Sequence, residues 1–200
     1  MGITLNLEKG IVLDLTKEFG KLTKLHLGLG WDTEMDLDAF AIMFDKDGKF
    51  LDTVSFKNLS SLGVSLSGDN RTGEGDGDDE TIYVHLDRLS SEVVKISLFA
   101  NIYSAGRRTF NQVEGSFIRL INPETNEELA KYSLKDSSRN YNAFYFADLT
   151  VNDGHLNFEV IGEGLNGSIS EIEREMKRRN SGEPTPQAPQ SPQKKKRWFW

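Results

Sequence analysis

Residues 36–56 read "DLDAFAIMFDKDGKFLDTVSF". Asp36, Asp38 and Phe40 alternate with Leu37, Ala39 and Ala41, so two faces are distinguished at a period of two rather than 3.6. The run then reaches Asp47-Gly48, a dipeptide suited to the positive φ of a tight hairpin turn, and resumes as a second strand-like segment. The same short pattern recurs on both sides. "ITLNLEKG", "IVLDLTKE" and "KLTKLHLGLGW" precede it; "TIYVHL", "VVKISLFANIY", "SFIRLINPETNEELAKYSL", "NAFYFADL" and "HLNFEVIG" follow. Asn152-Asp153-Gly154 supplies a turn between the last two. Roughly ten short strands without long helical patterns between them exclude a βαβ fold and predict an all-β, two-sheet antiparallel β-sandwich.

One helix is signalled. In "GSISEIEREMKRR", Ser168 and Glu171 have capping-box spacing, while Ile169, Ile172 and Met176 share a face. The bases gather at its C-terminal end, where the helix dipole favours them. This helix is expected to close one end of the sandwich. From Ser181 the composition changes: "SGEPTPQAPQSPQ" holds four of the five prolines and no large apolar residue, which predicts a disordered linker. Three segments follow: a folded domain over 1–180, a Pro/Gln-rich linker over 181–193, and a basic-aromatic motif over 194–200.

Composition removes several function classes. A net charge of −7 opposes nucleic acid as a partner, since phosphate contacts need a basic face. With no cysteine, disulfides, zinc thiolates and cysteine nucleophiles are excluded. The N-terminal "MGITLNLEKG" lacks a secretory signal, and no apolar stretch approaches the ~20 residues of a transmembrane helix, so a soluble cytoplasmic protein is expected.

The most unusual segment is "SGDNRTGEGDGDDE", residues 67–80, with six carboxylates and one base. A phosphate cradle has the wrong charge and lacks the Lys of a P-loop. Two accounts remain, a solvated charge run and a hard divalent cation held by oxygens. Gly73, Gly75 and Gly77 alternate with the acids, as in a backbone bent around a ligand. Asp36 and Asp38 form a second acidic pair whose side chains share one strand face, with Leu37 and Ala39 turned to the core. Together the two groups favour the cation. Calcium suits a large, flexible, carboxylate-rich loop better than magnesium, which demands near-octahedral geometry.

"LGLGWD", "DLDAFA", "SGDNRTGEGDGDDE", "FNQVEGSFIRLIN" and "ELAKYSL", in that order, closely resemble the TerD family of bacterial tellurium-resistance and stress-response proteins. The resemblance spans roughly residues 1–180. It implies a calcium-binding β-sandwich holding two ions. By that match the ligand candidates are Asp36, Asp38, Asp69, Asn70, Thr72, Glu74, Asp76, Asp78, Asp79 and Glu80, Thr72 serving mainly through its carbonyl. The chain departs from the family in the short segment Thr33, Glu34 and Met35 between "GWD" and "DLD", and in Glu163, where many relatives have Gln.

The signals for catalysis are thin. His26, His85 and His155 lie far apart, no GxSxG or HExxH motif occurs, and Arg107 and Arg108 read as a solvated turn. The expected function is a non-enzymatic calcium-binding module of the tellurium-resistance type, acting as a scaffold or binding protein. The alternative is a metal-dependent hydrolase that uses the acidic cluster for catalytic ions. Lys194, Lys195, Lys196 and Arg197 followed by Trp198, Phe199 and Trp200 suit an anionic membrane surface or a groove on a protein partner. That tail would place the protein peripherally at the inner face of the membrane.

Overall fold

The structure, a computed structural model, describes residues 5–6, 8–68, 77–103, 106–134 and 140–182. The chain opens with β1 (Leu5–Asn6), β2 (Val12–Asp14) and a short helix, α1 (Leu15–Phe19). β3 (Lys24–Gly30), β4 (Leu37–Phe44) and β5 (Phe50–Val54) follow. Next come β6 (Ser60–Ser61), β7 (Val64–Leu66), β8 (Glu80–His85) and β9 (Lys95–Ile102). A 3₁₀ turn at Phe110–Gln112 leads into β10 (Phe117–Asn122), β11 (Glu127–Ser133), β12 (Ala143–Asn152) and β13 (His155–Leu165). Helix α2 (Ile169–Asn180) closes the described fold.

Among the described residues the strands form two sheets, ordered β1-β11-β10-β3-β8-β7-β6 and β2-β13-β12-β9-β4-β5. This is the expected sandwich, with one departure from strict antiparallel pairing: β1 runs parallel to β11. The N-terminal segment thus contributes β1 to one sheet and β2 to the other. Asp47-Gly48 turns β4 into β5, with Gly48 at φ 75°. "IVLDLTKE", which alternates like a strand, divides instead. Asp14 Oδ1 accepts from Lys17 N at 3.0 Å and caps α1, so the extended backbone stops at Asp14.

β4 explains how the sheets are layered. Leu37, Ala39, Ala41 and Met43 enter the core between the sheets, where Leu25, Leu27 and Leu29 of β3 meet them. Phe40, Ile42 and Phe44 form the opposite face and pack against Ile169, Ile172 and Met176 of α2. The helix therefore covers the outer face of the second sheet rather than an end of the sandwich. A strand buried on both sides needs apolar residues at every position, and from Ala39 to Phe44 the sequence supplies them.

β12 reaches the same double burial with a bulge. The ladders to β9 and β13 both shift register between Tyr145 and Ala147, so Phe146 and Ala147 both enter the inner core. Tyr145 and Asp148, three residues apart, consequently share the outer face, and Tyr145 Oη donates to Asp148 Oδ1 at 2.6 Å. Ser97 Oγ donates to the same oxygen at 2.5 Å. Burial and the neighbouring carboxylate push the Tyr145 pKa well above its ordinary value, so the phenol stays a donor.

Candidate metal centre

The expected ligands fall in two parts. Asp69, Asn70, Thr72, Glu74 and Asp76 lie outside the described residues, as do Lys194, Lys195, Lys196, Arg197, Trp198, Phe199 and Trp200 of the tail. Asp36, Asp38, Asp78, Asp79 and Glu80 are described, the first two at the start of β4 and the other three at the entry to β8.

Asp38 lies on β4 with Leu37 and Ala39 turned to the inner core on either side, as the alternation predicts. Its side chain is on the outer face of the second sheet and is only 2% exposed. Asp36 extends the ladder beyond the strand, its carbonyl accepting from Tyr103 N at 2.8 Å. Glu80 opens β8, and its side chain turns inward with Ile82 and Val84, leaving it 1% exposed. There its Oε2 accepts from Ala39 N at 2.6 Å, which joins the two sheets immediately beside Asp38.

Asp79 precedes β8. Its amide donates to Leu29 O at 2.8 Å, and its Oδ2 accepts from Trp31 N at 2.9 Å, so it clamps the end of β3 from both sides. Burial raises its pKa above the ordinary Asp value of 3.8, and the charges of Asp32 and Asp78 add to the effect. A carboxylate with that surrounding gains from a cation.

Asp78 goes elsewhere. It lies over β3 on the outer face of the first sheet, where a Cβ on Gly28 would come within 2.1 Å of its carboxyl carbon. Gly28 is there because Asp78 occupies the space a side chain would fill. Arg119 on β10 is the cross-strand partner of Gly28, and its Nε donates to Asp78 Oδ1 at 2.7 Å. Arg119 also approaches Glu128 at 3.5 Å. Asp38 and Asp78 thus stand on opposite outer faces. The expected ligands do not converge: among the described residues no group of three His, Cys, Asp or Glu side chains could hold a metal ion by itself. The remaining oxygens of any site must come from backbone carbonyls, amide side chains or residues 69–76. The donor set that is described suits a hard cation, being oxygen throughout, with two members almost wholly buried.

Three participants were not singled out from the sequence. Asp32 follows Trp31 directly and lies beside Asp79; a Cβ on Gly115 would meet its Oδ2 at 1.9 Å, so the backbone there passes close to the carboxylate. Arg119 reads as an ordinary outward strand residue, because its partner Asp78 is 41 positions away. Asn101, 4% exposed, is the cross-strand partner of Asp38. Ladder register, not local spacing, brings it there.

Comparison with known proteins agrees with this architecture. The TerD domain family model matches residues 1–175. Tellurium resistance protein TerD of Serratia marcescens is 36% identical over 183 residues, covering 85% of this chain and 95% of that protein. General stress protein 16U of Bacillus subtilis is 36% identical over 184 residues, with the same coverage of 85% and 95%. Among solved structures, a Streptomyces coelicolor homologue of the telluride resistance protein superposes with a TM-score of 0.69 at 23% identity, covering 82% of this chain and all of that one, and shares the fold. By its family match and its level of identity, the chain belongs to the TerD family.

Proposed function

We propose that this chain is a non-enzymatic calcium-binding module of the tellurium-resistance and stress-response type, acting as a scaffold or binding protein. The observation that carries the reading is a pair of almost wholly buried carboxylates, Asp38 and Glu80, where β4 and β8 approach one another. Glu80 bridges the sheets beside Asp38, and Asp79 is crowded by Asp32 and Asp78. Burial of Asp38 and Glu80 and like charge around Asp79 raise the energy of the ion-free fold, and a divalent cation offsets that. Asp36, Asp38, Asp79 and Glu80 would supply carboxylate oxygens to more than one ion, each completed by oxygens from elsewhere in the chain. Asp78 is steadied by Arg119 and would orient the end of the acidic segment. Calcium accepts such a mixture of carboxylate, amide and carbonyl oxygens.

The test is thermal. A ligand that binds only the native state adds about 2.7 kcal/mol at a hundredfold excess over Kd. The melting temperature should therefore rise with Ca2+ and fall with chelator, and Asp38→Asn should blunt the response. Identical melting with and without chelator would leave the acidic segment a solvated charge run.

A further inference from the structure

The two sheets leave an opening at the end of the sandwich away from the acidic residues. Asp36, Asp38, Asp79 and Glu80 lie where β4 and β8 begin; at the other end β8 finishes, β9 starts and β12 turns into β13. A cavity of about 300 Å³ enters there between the layers. Leu22, ahead of β3, and Leu86 and Leu89, after β8, line it on the side of the first sheet, and Val93, Val151 and Leu156 on the side of the second. Leu22, Leu86, Leu89 and Val151 pack on the core between the sheets yet remain partly exposed. A concave aliphatic surface left open to water favours an apolar ligand, because filling it removes that surface from solvent.

Charge at this cavity runs against that of the chain. The net charge is −7, yet among the described residues the titratable groups that line the cavity are two bases, Lys21 and His155. Thr16 Oγ1 is already engaged, accepting from Leu156 N at 2.9 Å, and this bond fixes α1 against the start of β13. Asp14 caps α1 with Oδ1, and its Oδ2 lies 2.9 Å from His155 Nδ1. That contact commits the nearby acid and steadies the imidazole, leaving Nε2 without a hydrogen bond among the described residues. Lys21 is exposed and makes no ion pair among the described residues. The cavity thus joins an aliphatic interior to a basic rim.

We infer that this end of the sandwich binds a medium-chain aliphatic carboxylate. Its chain enters between the sheets against Leu86, Leu89 and Val151, and its head meets Lys21 and His155. Size sets the chain length. A methylene takes roughly the 30 Å³ of a water molecule in the liquid, so a cavity of about 300 Å³ holds roughly ten carbons. Apolar burial supplies the affinity, about a fourfold gain per methylene, and the bases select the charge of the head. The site lies at the opposite end of the molecule from the acidic residues and does not depend on the calcium reading.

Calorimetric titration of the full-length protein with hexanoate, octanoate, decanoate and dodecanoate tests this, in chelator so that no calcium soap forms. Affinity should rise about fourfold per added methylene up to roughly ten carbons and then level off. Val151→Trp fills the cavity and should abolish binding. Lys21→Glu should weaken octanoate about fivefold and leave octanol unchanged. No saturable binding of decanoate at about 1 mM overturns the inference, and so does wild-type affinity in Val151→Trp. If Val151→Trp does not fold, a chain-length series without a plateau, or equal effects of Lys21→Glu on octanoate and octanol, overturns it. A plateau with a loss confined to the carboxylate supports it. Ca2+ binding at the acidic end is untouched by any of these results.

Discussion

Asp79 lies between two other carboxylates, Asp32 and Asp78, and burial with their charge holds its pKa above 3.8. The sign of the pH effect follows. Between 3.8 and the raised value the folded chain keeps a proton that the unfolded chain has released, so stability falls as pH rises through that window. Asp79→Asn retains an acceptor for Trp31 N and removes the charge. In chelator, the urea midpoint of wild type relative to that of the variant should therefore decline across the window; parallel profiles would contradict this account. A second prediction concerns Gly28. A methyl there would displace Asp78 from Arg119, so Gly28→Ala should lower stability by about 1–3 kcal/mol, read by urea denaturation. At this scale the sequence revealed which acids to examine, since Asp36, Asp38 and residues 69–80 stand out by charge alone. It did not reveal where each points. Asp78 and Glu80 are two apart yet face Arg119 and Ala39 respectively, and those partners are fixed by register across the sheets.

Helix α2 is the element whose existence was plainest in the sequence and whose place was not. Glu171 Oε2 accepts from Ser168 N at 2.8 Å, as the spacing predicts, and Ile169, Ile172 and Met176 are buried as one face. Its position over β4 and β9 depends on the apolar outer face of those strands. Phe40, Ile42 and Phe44 read equally well as the interior of a two-sheet core. Because this second cluster is separate from the core between the sheets, damage to it should lower stability without abolishing the sandwich. Ile172→Ala should cost about 2–4 kcal/mol in chemical denaturation. A loss below about 1 kcal/mol would mean that the helix is poorly docked. α1 escaped detection for a related reason: Val12 to Leu15 alternate as a strand, and the capping bond from Lys17 N to Asp14 outweighs that pattern. β6 and β7 are too short to carry a period.

Over the whole molecule, the β4–β8 junction links the core to the proposed ion. Glu80 ties the two sheets together and stands next to Asp38, so an ion bound there stabilises the joint between the layers rather than one loop. No helix among the described residues is long and apolar enough to cross a membrane. Each Lys or Arg of residues 194–197 would contribute about 1 kcal/mol at an anionic surface. Full-length protein should sediment with anionic vesicles at low salt, and a chain truncated after Asn180 should not. If both remain in the supernatant, the membrane reading is wrong. The central claim is calcium binding, and equilibrium dialysis of chelator-stripped protein tests it most directly by counting ions per chain. The account predicts about two Ca2+ bound with affinity in the micromolar range, retained against a tenfold excess of Mg2+. No bound Ca2+ at about 1 mM, the weak end of known oxygen sites, would contradict it.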